Sequence, residues 1–141
     1  MAELSEDIHR QIARLCERGD ELASNGVFDE ALKLYQNALD MLPAPKSEWE
    51  AALWIYAAIG DSHFLTGDFP AAKNTFEKSI SDVGGFENPF LHLRLGQSLF
   101  ELGEEDAAAK ELTRAFGLGG AELFEEDDVK YLDFLRTKTK M

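Results

Sequence analysis

Three glycines stand at the same place in three copies of one spacing pattern, and this pattern constrains the fold more than any other feature. After each of Gly19, Gly60 and Gly96, a second glycine follows at seven residues and an alanine at twelve. A large residue follows at sixteen and a small one at nineteen, and these anchor glycines lie 41 and 36 residues apart. In chain order, the second glycine is Gly26, Gly67 and Gly103, and the alanine is Ala31, Ala72 and Ala108. The large residue is Tyr35, Phe76 and Leu112, and the small residue is Ala38, Ser79 and Ala115. Repeats of this length predict stacked supersecondary units.

Each copy has the pattern of two helices joined by a tight turn. Apolar residues recur at steps of three and four on both sides of the second glycine, as they do on amphipathic helices. A glycine at this point can adopt the conformation that ends a helix. The anchor glycine and the small residues let the two helices approach closely, and the large residue fills the space beneath the crossing. We therefore expect helical hairpins and no strand.

Capping and breaking residues indicate where the helices begin and end. Ser5 is the predicted N-cap of the first helix, and Pro43 and Pro45 stop the second because proline lacks the donor that a helix needs. Ser47 and Glu50 have the spacing of a capping box at the start of the third helix. This third helix is apolar on nearly every face, so we expect it to be the most buried.

The C-terminal part of the chain predicts a loop followed by one more helix. Residues 117–120 include three glycines and are expected to form a flexible loop. Residues 125–128 are all acidic, and the segment after them is apolar and then basic. This charge order matches the macrodipole of a helix, which favours acid at its start and base at its end.

The repeated pattern resembles the tetratricopeptide repeat, a helix-turn-helix unit of about 34 residues. The resemblance implies an all-α fold, a right-handed superhelical array of three units with a C-terminal capping helix. It implies one domain over residues 1–141, with repeats at about 12–45, 47–84 and 88–118 and the capping helix at about 125–138. The stretch 88–102 is similar to small solitary bacterial proteins of this class, and the three-repeat layout is similar to bacterial secretion chaperones.

Charge and composition restrict the partners that we expect. The chain has 27 acidic and 14 basic residues, a formal net charge of −13, which disfavours nucleic acid and favours a basic partner. No apolar run approaches the roughly 18 residues that span a bilayer. The N-terminus has no signal-peptide pattern, and the single Cys16 cannot form an internal disulfide. These features predict a cytoplasmic protein that does not bind membranes.

Proteins with this repeat bind ligands in a concave groove lined by the first helix of each unit. Aligning the copies puts an aromatic, apolar and partly acidic set of side chains on that face in this chain. The candidate binding residues are Trp54, Phe64, Phe90, Phe100, Leu93, Asp61, Asp20, Arg94 and Gln97. The alternative is that the aromatic residues pack against each other or the terminal helices, and that the aspartates are ordinary solvated charges.

Some members of this family hold a peptide's terminal carboxylate with a clamp of lysine, asparagine and arginine. The matching positions here hold Cys16, Asp20, Ala58, Phe90 and Arg94. Only Arg94 suits a carboxylate, and Asp20 would repel one, so we do not expect that mode of binding. An apolar groove with an acidic end instead favours an amphipathic helix or an extended segment that carries lysine or arginine.

The sequence has no pattern that indicates catalysis or metal binding. His9, His63 and His92 are far apart in sequence and lack a second ligand at metal spacing, and Cys16 lacks an evident base partner. We therefore expect no cofactor, no metal and no enzymatic activity.

The function predicted from the sequence is that of a non-enzymatic protein-interaction module, an adaptor or chaperone-like protein that binds a peptide or a partner helix. Two alternatives remain. An acidic chain of this kind could neutralise a basic toxin or effector. The aromatic face or an exposed end of the array could instead form a homodimer.

Overall fold

The computed structural model describes residues 5–46, 49–82 and 84–138. In these ranges the chain forms α-helices, short 3-10 turns and no strand. The helices are α1 Glu6–Ser24, α2 Phe28–Asp40, α3 Glu50–Leu65, α4 Phe69–Asp82, α5 Pro89–Glu101, α6 Glu105–Gly119 and α7 Val129–Lys138. The hairpins α1–α2, α3–α4 and α5–α6 pack in chain order, and α7 packs on α6. The predicted all-α repeat array is confirmed.

In each hairpin the anchor glycine lies directly against the large residue sixteen positions further on. A Cβ atom added to any of the three glycines would come within 2.7 Å of that side chain. The pairs are Gly19 with Tyr35, Gly60 with Phe76, and Gly96 with Leu112. Non-bonded carbon atoms prefer about 3.5–4.0 Å, so even a methyl group would force the helices apart.

The second glycine of each copy forms the predicted turn. Gly26, Gly67 and Gly103 have φ angles of 78°, 83° and 79°, in the left-handed region that disfavours other residues. Each of these glycines donates its N–H to the carbonyl three residues before it, and the next residue donates to the carbonyl five residues before it. This is the Schellman arrangement, which satisfies carbonyls at the end of the first helix.

The burial of α3 and α5 differs from the sequence prediction. Helix α5 is the most buried helix, while α3 exposes Trp54 and Leu65, which retain 59% and 55% of their accessible surface. The reason is that the C-terminal segment packs on α5, where Phe124 and Leu135 join the core around Leu93. Apolar composition indicates that a helix can be buried. Whether it is buried depends on how much of the rest of the chain packs on it.

The boundaries near the C-terminus also differ from the prediction. Helix α6 continues through Gly119, so most of the expected loop is helical, and Gly120 makes the turn with φ 71°. A 3-10 turn, Ala121–Phe124, follows. Helix α7 then begins at Val129, because the Asp128 side chain accepts a hydrogen bond from the N–H of Lys130 and thereby caps the helix.

Two N-caps were predicted from the sequence, at Ser5 and Ser47, and the structure describes the first of them. The Ser5 hydroxyl accepts a hydrogen bond from the N–H of Ile8 at 3.2 Å, as expected for an N-cap. Ser47, on which the predicted capping box depends, lies outside the described residues, and α3 is described from Glu50 onward.

Substituting alanine at Gly60 and at Gly117 should have opposite effects. We expect Gly60→Ala to lower the free energy of unfolding by about 2 kcal/mol, because its methyl group overlaps the Phe76 ring. Gly117 also lies in a helix, but a Cβ there has open space. We expect Gly117→Ala to raise stability by up to about 1 kcal/mol. Urea unfolding measures both, and equal stability of the two variants would contradict the close-approach argument.

Candidate functional site

Arg94 connects most of the candidate residues. Its Nε donates to Asp61 Oδ1 of α3 at 2.8 Å, and one terminal nitrogen donates to Asp127 Oδ1 at 2.9 Å. The same nitrogen donates to Gln97 Oε1 at 2.8 Å. Only 15% of the Arg94 side chain is exposed, and a guanidinium with two carboxylate partners forms strong, directional hydrogen bonds. Arg94 therefore ties α3, α5 and the segment before α7 together.

Two aromatic rings flank the guanidinium of Arg94. Its Cζ lies 4.7 Å from the ring centroid of Phe64 and 5.3 Å from that of Phe90. Both rings are anchored in turn, Phe64 edge-on to Phe69 at 5.4 Å and Phe90 edge-on to Phe76 at 6.5 Å. Cation–π attraction adds to the ion pairs. Phe64 and Phe90 thus act in part as internal packing residues, as the alternative interpretation of the sequence expected.

Trp54 differs from the other three predicted aromatic residues because its ring is largely free. It lies seven residues before Asp61 on α3, a spacing that puts both on one face of the helix. More than half of its surface is exposed, whereas Phe100 is covered by Tyr131 and Phe134 of α7, with ring centroids 5.5 and 4.9 Å away. The capping helix therefore occupies the face where Phe100 lies and leaves Trp54 open.

Two of the predicted site residues, Leu93 and Gln97, are buried. Leu93 belongs to the core cluster that includes Leu112 and Leu135. Gln97 has no exposed surface, and its Nε2 has no hydrogen-bond partner among the described residues. The oxygen of its amide is held by Arg94. Gln97 therefore positions Arg94 from beneath.

Asp20 is engaged within the chain. Its Oδ1 accepts a hydrogen bond from the Tyr35 hydroxyl at 2.5 Å. Burial and then this hydrogen bond to Asp20 raise the pKa of Tyr35. Burial, with the nearby Asp20 charge, likewise raises the pKa of the Cys16 thiol, so that thiol stays protonated and is a weak nucleophile.

Glu101 forms a similar contact at the other end of the array. It accepts hydrogen bonds from the Tyr131 hydroxyl at 2.9 Å and from Lys130 Nζ at 2.5 Å. Burial, followed by the bond to Glu101, raises the pKa of Tyr131, and the bond to Glu101 is the main cause that raises the pKa of Lys130. These contacts hold α7 against α5.

One further titratable group, His92, has structural partners on two sides. His92 is buried, with Nδ1 2.6 Å from Glu111 Oε2 and Nε2 2.6 Å from the Phe86 carbonyl oxygen. It thus links α5 to α6 and to the turn before α5. Within the described part of the chain, no group of three His, Cys, Asp or Glu side chains is placed to hold a metal ion. No helix in the same ranges is long and apolar enough to cross a membrane.

Sequence reasoning missed Asp127 and the segment around it. Residues 125–128 were expected to begin a helix, yet they form a turn that brings Asp127 to Arg94. The acidic run was visible in the sequence. Its contact with an arginine 33 residues earlier follows from tertiary folding and has no periodic signal.

Replacing Arg94 should destabilise the array, because Asp61 and Asp127 would lose their shared counterion. Breaking a buried pair costs about 3–5 kcal/mol. Here Asp61 is 31% and Asp127 18% exposed, so water offsets part of the loss. We expect Arg94→Leu to lower the free energy of unfolding by about 2 kcal/mol. Arg94→Lys should lower the free energy of unfolding by about half as much, since a lysine keeps the positive charge but lacks the planar guanidinium that bonds both carboxylates.

Urea unfolding of the wild type and both variants, in low and high salt, measures this effect. Arg94→Leu should respond more to salt than the wild type, because added ions screen the two unpaired carboxylates. Unchanged stability of Arg94→Leu would show that the ion pairs are not important for folding.

Comparison with known proteins finds a match to one sequence family and similarity to several solved structures. A sequence profile described as "Tetratricopeptide repeat" matches residues 11–81. Comparison with curated protein sequences gives no significant match. The first TPR of Spaghetti (RPAP3), bound to the HSP90 peptide SRMEEVD, has a TM-score of 0.70 at 18% identity and covers 91% of this chain and 90% of its own.

Two domains of human RPAP3 are also similar in structure. The first TPR domain has a TM-score of 0.68 at 19% identity and covers 90% of this chain and 88% of its own. The second, in complex with the HSP70 peptide SGPTIEEVD, has a TM-score of 0.70 at 16% identity and covers 94% and 99%. These structures share the fold of the chain. Since the sequence profile spans half of it, this protein belongs to the tetratricopeptide repeat family.

Proposed function

We propose that this chain is a non-enzymatic interaction module that binds a segment of another protein along the face of α3 that carries Trp54 and Asp61. The observation that carries the proposal is the exposure of Trp54, at 59%, two helical turns before the Asp61 that Arg94 holds. A tryptophan is among the residues that contribute most to binding free energy at protein interfaces. Its ring offers apolar area together with an indole N–H.

A second exposed side chain extends the apolar surface on the same helix. Leu65 lies eleven residues after Trp54, which is close to three helical turns, and is 55% exposed. The partly buried Phe64 and Asp61 lie between them. An apolar strip interrupted by one carboxylate suits an amphipathic helix or an extended segment with a basic residue.

The charge of the site favours a basic ligand over an acidic one. The peptides bound to two of the similar structures end in acidic residues, EEVD. In this chain the arginine at a matching position, Arg94, is already paired with two carboxylates. Asp20, which occupies the position of Asp61 in the first repeat, adds a further negative charge because its partner is the neutral Tyr35 hydroxyl. With a net charge of −13, the chain should attract cationic partners and repel acidic peptides.

Affinity capture with wild type and matched variants tests the proposal. Trp54→Ala should lose most of a captured partner, since removal of a central aromatic contact costs about 2 kcal/mol or more. Leu118→Ala is the control, because Leu118 is also an exposed apolar residue, at 43%, but lies on α6. Circular dichroism should give the same helix content for both variants. Equal capture by wild type and Trp54→Ala would refute binding at this face.

Light scattering of the same proteins at several concentrations separates a partner site from self-association. Under the proposal the purified wild type is a monomer at every concentration. A dimer that dissociates on Trp54→Ala but persists in Leu118→Ala would mean that this face joins two copies of the chain instead.

A further inference from the structure

A cavity of about 450 Å³ lies between α5 and the segment that precedes α7. Its apolar part is formed by Phe90, Leu93 and Leu123. Ligand pockets in proteins commonly measure about 300–1,000 Å³. The cavity is therefore large enough to accept side chains of a bound segment.

The polar wall of this cavity is strongly acidic. Glu122, Glu125, Glu126 and Asp127 line it, and Arg94 is the single basic residue there. The guanidinium of Arg94 is neutralised by Asp127 and by Asp61 on α3. The three glutamates are exposed, and the ion pairs found in the described part of the chain leave them without a basic partner. The cavity lining thus combines apolar side chains with an excess of negative charge.

We propose that this cavity binds a protein segment in which a leucine-like side chain stands next to arginine or lysine. The apolar side chain contacts the partly exposed Phe90 and Leu123, and the basic side chain pairs with the exposed glutamates. The inference rests on the proposed function in that the chain binds a segment of another protein, and it adds a second contact region that Arg94 helps to line. Charge complementarity selects this occupant, since an acidic segment would meet four carboxylates and an arginine that already has two partners.

The segment between α6 and α7 fits this role because its geometry is fixed from both ends. Phe124 is buried in the core with Leu135, and Asp127 is held by Arg94. Glu125 and Glu126 lie between these two attachment points and face solvent. The carboxylates are therefore presented on a braced turn, which reduces the entropy lost when a ligand binds.

Fluorescence anisotropy with short labelled peptides tests the inference. The probes are an alternating leucine–arginine peptide, its leucine–glutamate counterpart and a serine–arginine peptide. The leucine–arginine peptide should bind, more weakly as salt is added. The serine–arginine peptide should bind about tenfold more weakly, because it has no apolar side chain to contact the apolar residues of the cavity. The leucine–glutamate peptide should not bind.

Two double variants with the same change in net charge separate the cavity from general electrostatic attraction. Glu122→Gln/Glu126→Gln should weaken leucine–arginine binding about fivefold at low salt, since each exposed ion pair contributes roughly 0.5 kcal/mol. Glu30→Gln/Glu77→Gln removes two exposed carboxylates on α2 and α4, and should change binding by less than about twofold. All four positions are exposed, so both variants should fold.

Several outcomes would overturn the inference. Equal weakening by both double variants, equal binding of the glutamate peptide, or no binding of the leucine–arginine peptide to wild type would each do so. If Trp54→Ala loses its captured partner while the two double variants bind alike, the cavity is refuted and the proposed function stands. If Trp54→Ala has no effect and the cavity variant binds weakly, the cavity stands and the α3 face is refuted.

Discussion

The array depends on the close approach of two helices at each anchor glycine. Because a Cβ atom at Gly60 would lie 2.7 Å from Phe76, the two helices can pack this closely only without a side chain at that position. This crossing buries Ala72 and Ser79 completely on the opposite helix. Repetition of the same contact in three hairpins fixes which side of each first helix is used for packing. The proposed binding face lies on the side that remains.

Arg94 decides the chemistry of that side. Its two carboxylate partners and the flanking rings of Phe64 and Phe90 hold the centre of the face together. An arginine committed in this way contributes stability rather than a positive site for ligands. The charge that remains on the face is negative, which underlies the preference for a basic segment in both proposals. In both proposals, stability and ligand choice therefore depend on the same side chain.

The helical hairpins, their turns and the register of the repeat could be predicted from the sequence. Each depends on residues within one hairpin, such as Gly60, Gly67 and Phe76, whose spacing is fixed by helix geometry. The prediction that α3 is the most buried helix was wrong, since it relied on composition alone. For the candidate site, helix register predicted a set of residues but not which of them are exposed. Sequence could not distinguish the exposed Trp54 from Phe100, which α7 covers.

The sequence by itself thus determined the unit of the fold, because a glycine and a large residue sixteen positions apart meet wherever two helices cross over a tight turn. Tertiary structure decided which inner side chains remain free. Arg94 meets Asp61 and Asp127, each 33 residues away, and α7 folds back on Phe100 from 30 residues or more along the chain. Such contacts depend on how hairpins stack and where the last segment turns, and neither leaves a periodic pattern in the sequence.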